Sequence, residues 1–229
     1  MSYRTNIVRL RGVANALGKW RDKVVFVGGA TVSLYATRPL AVSVRPTDDV
    51  DVVVELISIN EFYDLQEYLL KSGFKNDIES KIISRFLIQG LKVDFMPTDP
   101  SILGFSNHWY PEGVKKSIEH TIDNIGAIRI FSVPYFIASK FEAFTTRGGR
   151  DIYASHDLED IVFVLDHRDN IHEELNNADS NVKSYLKKEF ALLINEKFFE
   201  EALLGHVEQS DQIQRKTKIV EILKKFVYD

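Results

Sequence analysis

The spacing of apolar residues changes character once along the chain, near residue 132. Over residues 4–20, Ile7, Leu10, Val13, Ala14 and Leu17 recur at helical intervals, which predicts an amphipathic helix that ends near Gly18, with Trp20 placed to pack at its end. Val24-Val25-Phe26-Val27 is a continuous apolar run between charged residues and Gly28-Gly29, the pattern of a buried strand. Residues 30–36 predict a short helix leaving directly from that strand. Pro39 and Pro46 then frame a loop before a second strand over 50–54, where Asp49 and Asp51 interleave with valines. Residues 60–72 predict a helix capped by Asn60, with Phe62, Leu65, Leu69 and Leu70 facing inward and Gly73-Phe74 closing it. Two β-rich runs, 82–88 and 91–96, meet at Gln89-Gly90 as a hairpin ended by Pro97 and Pro100, and 127–131 predicts a further strand.

From Val133 onward the periodicity is helical: 134–146, 155–166, 170–177, 181–204 and 208–227. An α+β architecture follows, with an α/β core built on a mixed sheet over 1–132 and a helical bundle over 133–229. No linker-like composition separates the two, so the helical half is expected to pack on the core. Phe136, Phe141, Phe144, Phe198 and Phe199 are expected in that packing.

Composition narrows the chemistry. The 229 residues are 45% hydrophobic, enough for one large core or two smaller ones. With 29 Lys+Arg against 33 Asp+Glu the net charge is −4, which excludes a wholesale polyanion binder. The chain has 0 cysteines, so disulfide scaffolds, thiolate metal sites and cysteine nucleophiles are excluded. No apolar run approaches the ~20 residues of a membrane span, and residues 1–10 lack the apolar core of a secretory signal. A soluble cytoplasmic protein with no membrane partner is expected.

Three features of the first half point to one site. Gly28-Gly29-Ala30-Thr31 stands at a strand-to-helix junction, where glycines let backbone N–H groups approach a phosphate. Asp49 and Asp51 lie two apart on a strand, so both carboxylates project from one face, with Cα atoms roughly 6.6 Å apart at ~3.3 Å per residue. Two such charges on an apolar strand call for a cation, and oxygen donors suit a hard divalent metal. Asp94 is a third acid inside an apolar strand and joins the pair if the strands are neighbours. A phosphate turn with three strand-borne carboxylates matches the needs of two-metal phosphoryl or nucleotidyl transfer.

Taken together, Gly28-Gly29, Asp49-x-Asp51 and Asp94 resemble the polymerase-β-type nucleotidyltransferase superfamily. Within it, Arg45-x-Thr47-x-Asp49-Val50-Asp51, with Lys140 and Asp157-x-x-Asp160 further on, is similar to the AbiEii/AbiGii toxin group of bacterial toxin–antitoxin systems. The likeness covers roughly residues 24–161. It departs from the superfamily at Ala30, where a serine hydroxyl often meets phosphate, a contact that Thr31 or Ser33 is left to replace.

The resemblance implies that Asp49, Asp51 and Asp94 are the catalytic and metal-binding carboxylates, with two Mg²⁺ ions (Mn²⁺ as a substitute), and that Asp94 helps deprotonate the acceptor. It also implies a nucleotide site drawing on Gly28, Gly29, Thr31, Thr47, Lys140, Asp157 and Asp160, Lys140 neutralising the β/γ phosphates. The activity implied is transfer of a nucleoside monophosphate from an NTP such as ATP to a hydroxyl of RNA, tRNA or a protein, by a toxin with a cognate antitoxin protein as partner. A small-molecule acceptor such as an antibiotic, and a non-catalytic nucleotide- or RNA-binding module, are the alternatives. The module reading draws on Arg4, Arg9, Arg11, Lys19, Arg21 and Lys23, and on Arg215, Lys216, Lys218, Lys224 and Lys225. Arg147 and Arg150, flanking Gly148-Gly149, are placed on a loop near the nucleotide. His156-Asp157 admits a metal-dependent phosphohydrolase reading with His120, Asp123 and Asp160, but that reading leaves Asp49, Asp51 and Asp94 without a role. Walker, Rossmann and Gly-x-Ser-x-Gly signatures are absent from the sequence.

Overall fold

The computed structural model describes residues 2–37, 44–56, 58–123 and 125–229. The predicted loop between Pro39 and Pro46 falls largely outside them. Two compact units emerge: Met1–Leu34 with Ala41–Ser132, and Tyr35–Leu40 with Val133–Asp229. The first is an α+β unit on a mixed seven-stranded sheet, and the second is helical.

The first unit opens with helix α1 (Ser2–Leu17), followed by a 3-10 segment, Gly18–Lys23. The strands are β1 (Val24–Val27), β2 (Asp49–Val54), β3 (Lys75–Asn76), β4 (Arg85–Ile88), β5 (Leu91–Pro97), β6 (Ile118–Ile122) and β7 (Gly126–Ile130), in spatial order β3-β4-β5-β2-β1-β7-β6. β2 runs parallel to β5 and β1 parallel to β7, while the remaining neighbours are antiparallel. Both glycine-bearing turns form as expected. The segment after β1 is a 3-10 helix, Gly29–Tyr35, and Gln89 and Gly90 both take positive φ, 51° and 80°, as a tight hairpin turn demands.

Paired residues share a face of the sheet, so register divides the side chains in two. Phe26, Val52, Phe95, Val93 and Phe86 share one face. The T-shaped ring pairs Phe74–Phe95 and Phe86–Phe95 form on that side. Helix α1 covers the same side, since a Cβ placed on its Gly12 would lie 3.0 Å from Leu91 Cδ1. Helix α2 (Ile59–Lys71) is tied to α1 by the Tyr68 hydroxyl, which donates to Leu17 O at 3.1 Å, and Trp20 stacks obliquely on Tyr68. The N-cap of α2 is Ser58, whose hydroxyl accepts from Glu61 N at 3.3 Å, rather than the expected Asn60. Sequence reading also missed β3, β6, α3 (Pro100–Leu103) and α4 (Tyr110–Lys115). β6 is an edge strand with mostly exposed residues, so it carries no hydrophobic alternation, and His120 lies in it.

In the second unit, α5 (Val133–Thr146) is buried around most of its circumference, the signature of a central helix. Around it lie α6 (His156–His167), α7 (Ile171–Asn176) and α8 (Ser180–Ile194), with α9 (Phe199–His206) and α10 (Gln212–Tyr228) completing the unit. Ser155 caps α6 through Leu158 N at 3.2 Å. Phe141, Phe190 and Phe226 form a run of edge-on rings joining α5, α8 and α10. The helix expected over 181–204 is two helices: the polar stretch Asn195-Glu196-Lys197 turns the chain, and the Asn195 side chain donates back to Ala191 O at 2.8 Å. The other expected core phenylalanines are buried, but Phe198, at this turn, is 45% exposed.

Candidate active site

The three strand-borne carboxylates share one face of the sheet, opposite the face covered by α1. Asp49 and Asp51 are two apart on β2, and the parallel ladder pairs Asp51 with Asp94 on β5. At the adjacent end of β1, Val27 pairs with Asp51, so the chain enters the Gly28 turn beside the Asp51 carboxylate. Gly28 has φ +72°, and a Cβ placed there would lie 2.1 Å from Asp51 Oδ2. A side chain at 28 and the present position of Asp51 are therefore incompatible, which gives the glycine a physical role that spacing alone did not show.

Arg85, at the start of β4, is the residue that sequence reading missed. Antiparallel pairing sets it opposite Asp94. Its Nε donates to Asp94 Oδ1 at 2.7 Å, and its Nη2 donates both to Asp94 Oδ2 at 2.7 Å and to Asp49 Oδ2 at 2.8 Å. The Asp94 side chain is 7% exposed and the arginine 15%, so this is a sheltered, bidentate ion pair with a third arm to Asp49. The hydrogen bonds to Asp94 are the largest influence on the guanidinium; burial opposes them, and the charges of Asp94, Asp49 and Asp51 join them in raising its pKa further above the ordinary value. The only signal for this in the sequence is a cation four residues before the hairpin turn and nine before Asp94, visible once strand register is known.

Among the described residues, no three or more His, Cys, Asp or Glu side chains are gathered closely enough to hold a metal ion as they stand. The chemistry of the donor set nevertheless fits a hard divalent cation. Its donors are carboxylate oxygens on one sheet face, the kind of ligand a hard divalent ion takes.

The other residues assigned to the nucleotide fall into two groups. Thr31 is fully buried, and its hydroxyl donates to Gly28 O at 2.9 Å, closing the turn after β1 that Gly29 and Ala30 occupy. Thr47 is buried too: its hydroxyl donates to Asp49 O at 3.0 Å and its N–H to Asn6 Oδ1 at 3.2 Å, while Asn6 Nδ2 donates to Arg45 O at 3.0 Å. Thr31 and Thr47 thus brace the backbone that presents Gly28 and Asp49.

In the second unit, Lys140 on α5 meets Asp157 at 2.9 Å and Asp160 at 2.6 Å, both on α6. Burial is the largest influence on its ammonium and disfavours the charge, but the charges and hydrogen bonds of Asp160 and Asp157 together outweigh it and raise the pKa above the ordinary value. Arg147 stands 3.7 Å from Asp157, and Arg150 is bound to Glu189 at 2.6 Å. Several members of the basic clusters carry acidic partners, while Lys19 and Lys23 lie over the rings of Tyr68 and Trp20. Arg9 is 4.0 Å from Asp48 and Arg21 3.6 Å from Asp22; Arg215 binds Asp166 and Glu208, and Lys216 lies 3.2 Å from Glu200. The side chain of Arg4 lies outside the described residues. His156 is exposed beside Glu159, and the other histidine of α6, His167, lies by Asp166 and Glu208 at the far end of the helix from Asp157.

The chain shares its fold with two solved structures. The chain resembles the solution structure of the antibiotic-resistance factor ANT(2'')-Ia, with a TM-score of 0.52 and 14% identity over 84% of this chain and 96% of that one. It also resembles the crystal structure of an antigenic nucleotidyltransferase-like protein from Paracoccidioides brasiliensis, with a TM-score of 0.51 and 16% identity over 93% of this chain and 99% of that one. No protein-family model matches the chain, and no curated protein sequence matches it significantly. The likeness is one of fold. No helix among the described residues is long and apolar enough to cross a membrane.

Proposed function

We propose that the chain is a metal-dependent nucleotidyltransferase that moves a nucleoside monophosphate from an NTP to an acceptor hydroxyl and releases pyrophosphate. The observation that carries this reading is the pairing of Asp51 with Asp94 across β2 and β5, beside a glycine turn, on a nucleotidyltransferase fold. Asp49, Asp51 and Asp94 would hold the ions. When bound, Mg²⁺ supplies positive charge to the triphosphate and acidifies the acceptor hydroxyl. The acceptor oxygen bonds to the α-phosphorus as the bond to the β-phosphate oxygen breaks, and Asp94 takes the acceptor's proton on an oxygen that Arg85 must first release. Gly28 and Gly29 leave the backbone open to the phosphates, with Thr31 and Thr47 bracing it. Lys140, held by Asp157 and Asp160 in the helical unit, has its role toward the β/γ phosphates from the motif resemblance.

RNA, tRNA or protein as acceptor, and a cytoplasmic toxin role with a cognate antitoxin, draw their support from the motif Arg45-x-Thr47-x-Asp49-x-Asp51. A small-molecule acceptor is the second reading, favoured by the likeness to a protein named as an antibiotic-resistance factor. Incubation with each α-labelled NTP, Mg²⁺ and, in separate arms, total RNA, total protein or hydroxyl-bearing antibiotics tests these together. Label is expected in one arm and not with Asp51→Ala. NTP binding without label in any arm, at any divalent ion, establishes the non-catalytic module instead.

A further inference from the structure

We infer that Arg85 is a resident counter-ion of the carboxylate site: it keeps Asp49 and Asp94 together without metal, and it sets the divalent-ion affinity by competing for those carboxylates. The inference rests on the metal-dependent reading above and deepens it. Three acids on one face of two adjacent strands repel one another at a strand spacing of ~4.8 Å. Arg85 answers that repulsion directly, with two bonds to Asp94 and one to Asp49, and its charge is felt by Asp51 as well.

Its place is set by the backbone and not by side-chain choice alone. Arg85 N donates to Ile82 O at 3.1 Å, Asp77 N donates to Arg85 O at 3.2 Å, and Phe95 N donates to Ser84 O at 3.0 Å, which locks β4 against β5 at this point. The guanidinium therefore starts from a fixed anchor, with its planar fork matched to one carboxylate and its outer nitrogen reaching the next. A divalent ion on the same oxygens meets a fixed positive charge and must displace at least one of these bonds. Arg85 is thus a positioning residue: it acts on the reaction through the carboxylates, not on the substrate.

Mn²⁺ binding without nucleotide, read from loss of the free-ion electron paramagnetic resonance signal, tests the inference with the full chain. Arg85→Gln removes the charge and keeps a donor. It is expected to bind Mn²⁺ at least about tenfold more tightly than the unchanged protein, since a unit charge within ~5 Å of a divalent ion is worth at least that much even at high effective dielectric. In chelator it is expected to melt at a lower temperature and to regain more of the loss on adding Mn²⁺ than the unchanged protein gains. Arg85→Lys retains the charge and is expected to keep Mn²⁺ affinity within about threefold.

If Arg85→Gln is unfolded in chelator, recovery of its circular dichroism on adding Mn²⁺ is the same prediction, and failure to recover overturns it. Binding by folded Arg85→Gln that is no tighter than that of the unchanged protein overturns the counter-ion inference and leaves the metal-dependent reading standing. Absence of Mn²⁺ binding in every form, with and without NTP, overturns both.

Discussion

Gly28 and Asp51 depend on each other at the distance of a single atom. Placing a Cβ at position 28 puts it 2.1 Å from Asp51 Oδ2, whereas Gly90 has a similar φ of +80° and nothing within 4 Å. Gly28→Ala and Gly90→Ala should therefore share the left-handed backbone cost of about 1–2 kcal/mol. Only Gly28→Ala should lower nucleotidyl transfer as well, because it displaces a carboxylate; comparing melting temperatures and label transfer for the two variants checks this. Asp51→Ala should reduce turnover to below about one-hundredth, since even partners of metal ligands are worth 10–100-fold. It should leave the circular dichroism unchanged, because one of three mutually repelling charges is removed. At this scale the acids were legible, since each interrupts an apolar strand. Arg85 was not, because nothing in its local pattern distinguishes it from a solvated arginine until β4 is laid against β5.

Elements were legible in proportion to the apolar face they bury. β1, β2, the β4–β5 hairpin, α5 and α6 each place large side chains in a core and so carry a clear period or, as in β1, an unbroken apolar run. β6 and β3 lie at the edges of the sheet with exposed side chains, and α3 and α4 are a turn or so long; none has a period to read. The start of α2 turned on hydrogen-bond geometry. Ser58→Ala should cost about 1 kcal/mol of stability, and Asn60→Ala should cost a few tenths at most, as measured by urea denaturation. The break between α8 and α9 was missed because no glycine or proline marks it. Its polar turn is short enough to pass for the outer face of one long helix.

At the scale of the whole molecule, Lys140 is a buried cation of the helical unit that links folding to pH. Its pKa is held above the ordinary 10.5 by Asp160 and Asp157 against the cost of burial. Since the folded value exceeds the unfolded one, the stabilisation is complete below about pH 10.5 and is lost as the pH rises through the folded value. Lys140→Met should cost about 3–5 kcal/mol at neutral pH by leaving two acids without their cation. The gap between its melting temperature and that of the unchanged protein should narrow only in strong alkali, which thermal melts from pH 7 to 12 would show.

Local periodicity was enough to locate a mixed strand-rich half, a helical half and the acids at 49, 51 and 94, because burial of one face leaves a repeating mark on nearby residues. It carried no information about which strands become neighbours or in what register. Those were decided by packing between residues far apart in sequence. The parallel pairing of β2 with β5 puts Asp51 opposite Asp94, the hairpin turn brings Arg85 across from Asp94, and the end of β1 lays Gly28 under a carboxylate. A slip of one residue in that register would send Asp94 to the other face of the sheet, so the site exists only as a consequence of tertiary structure.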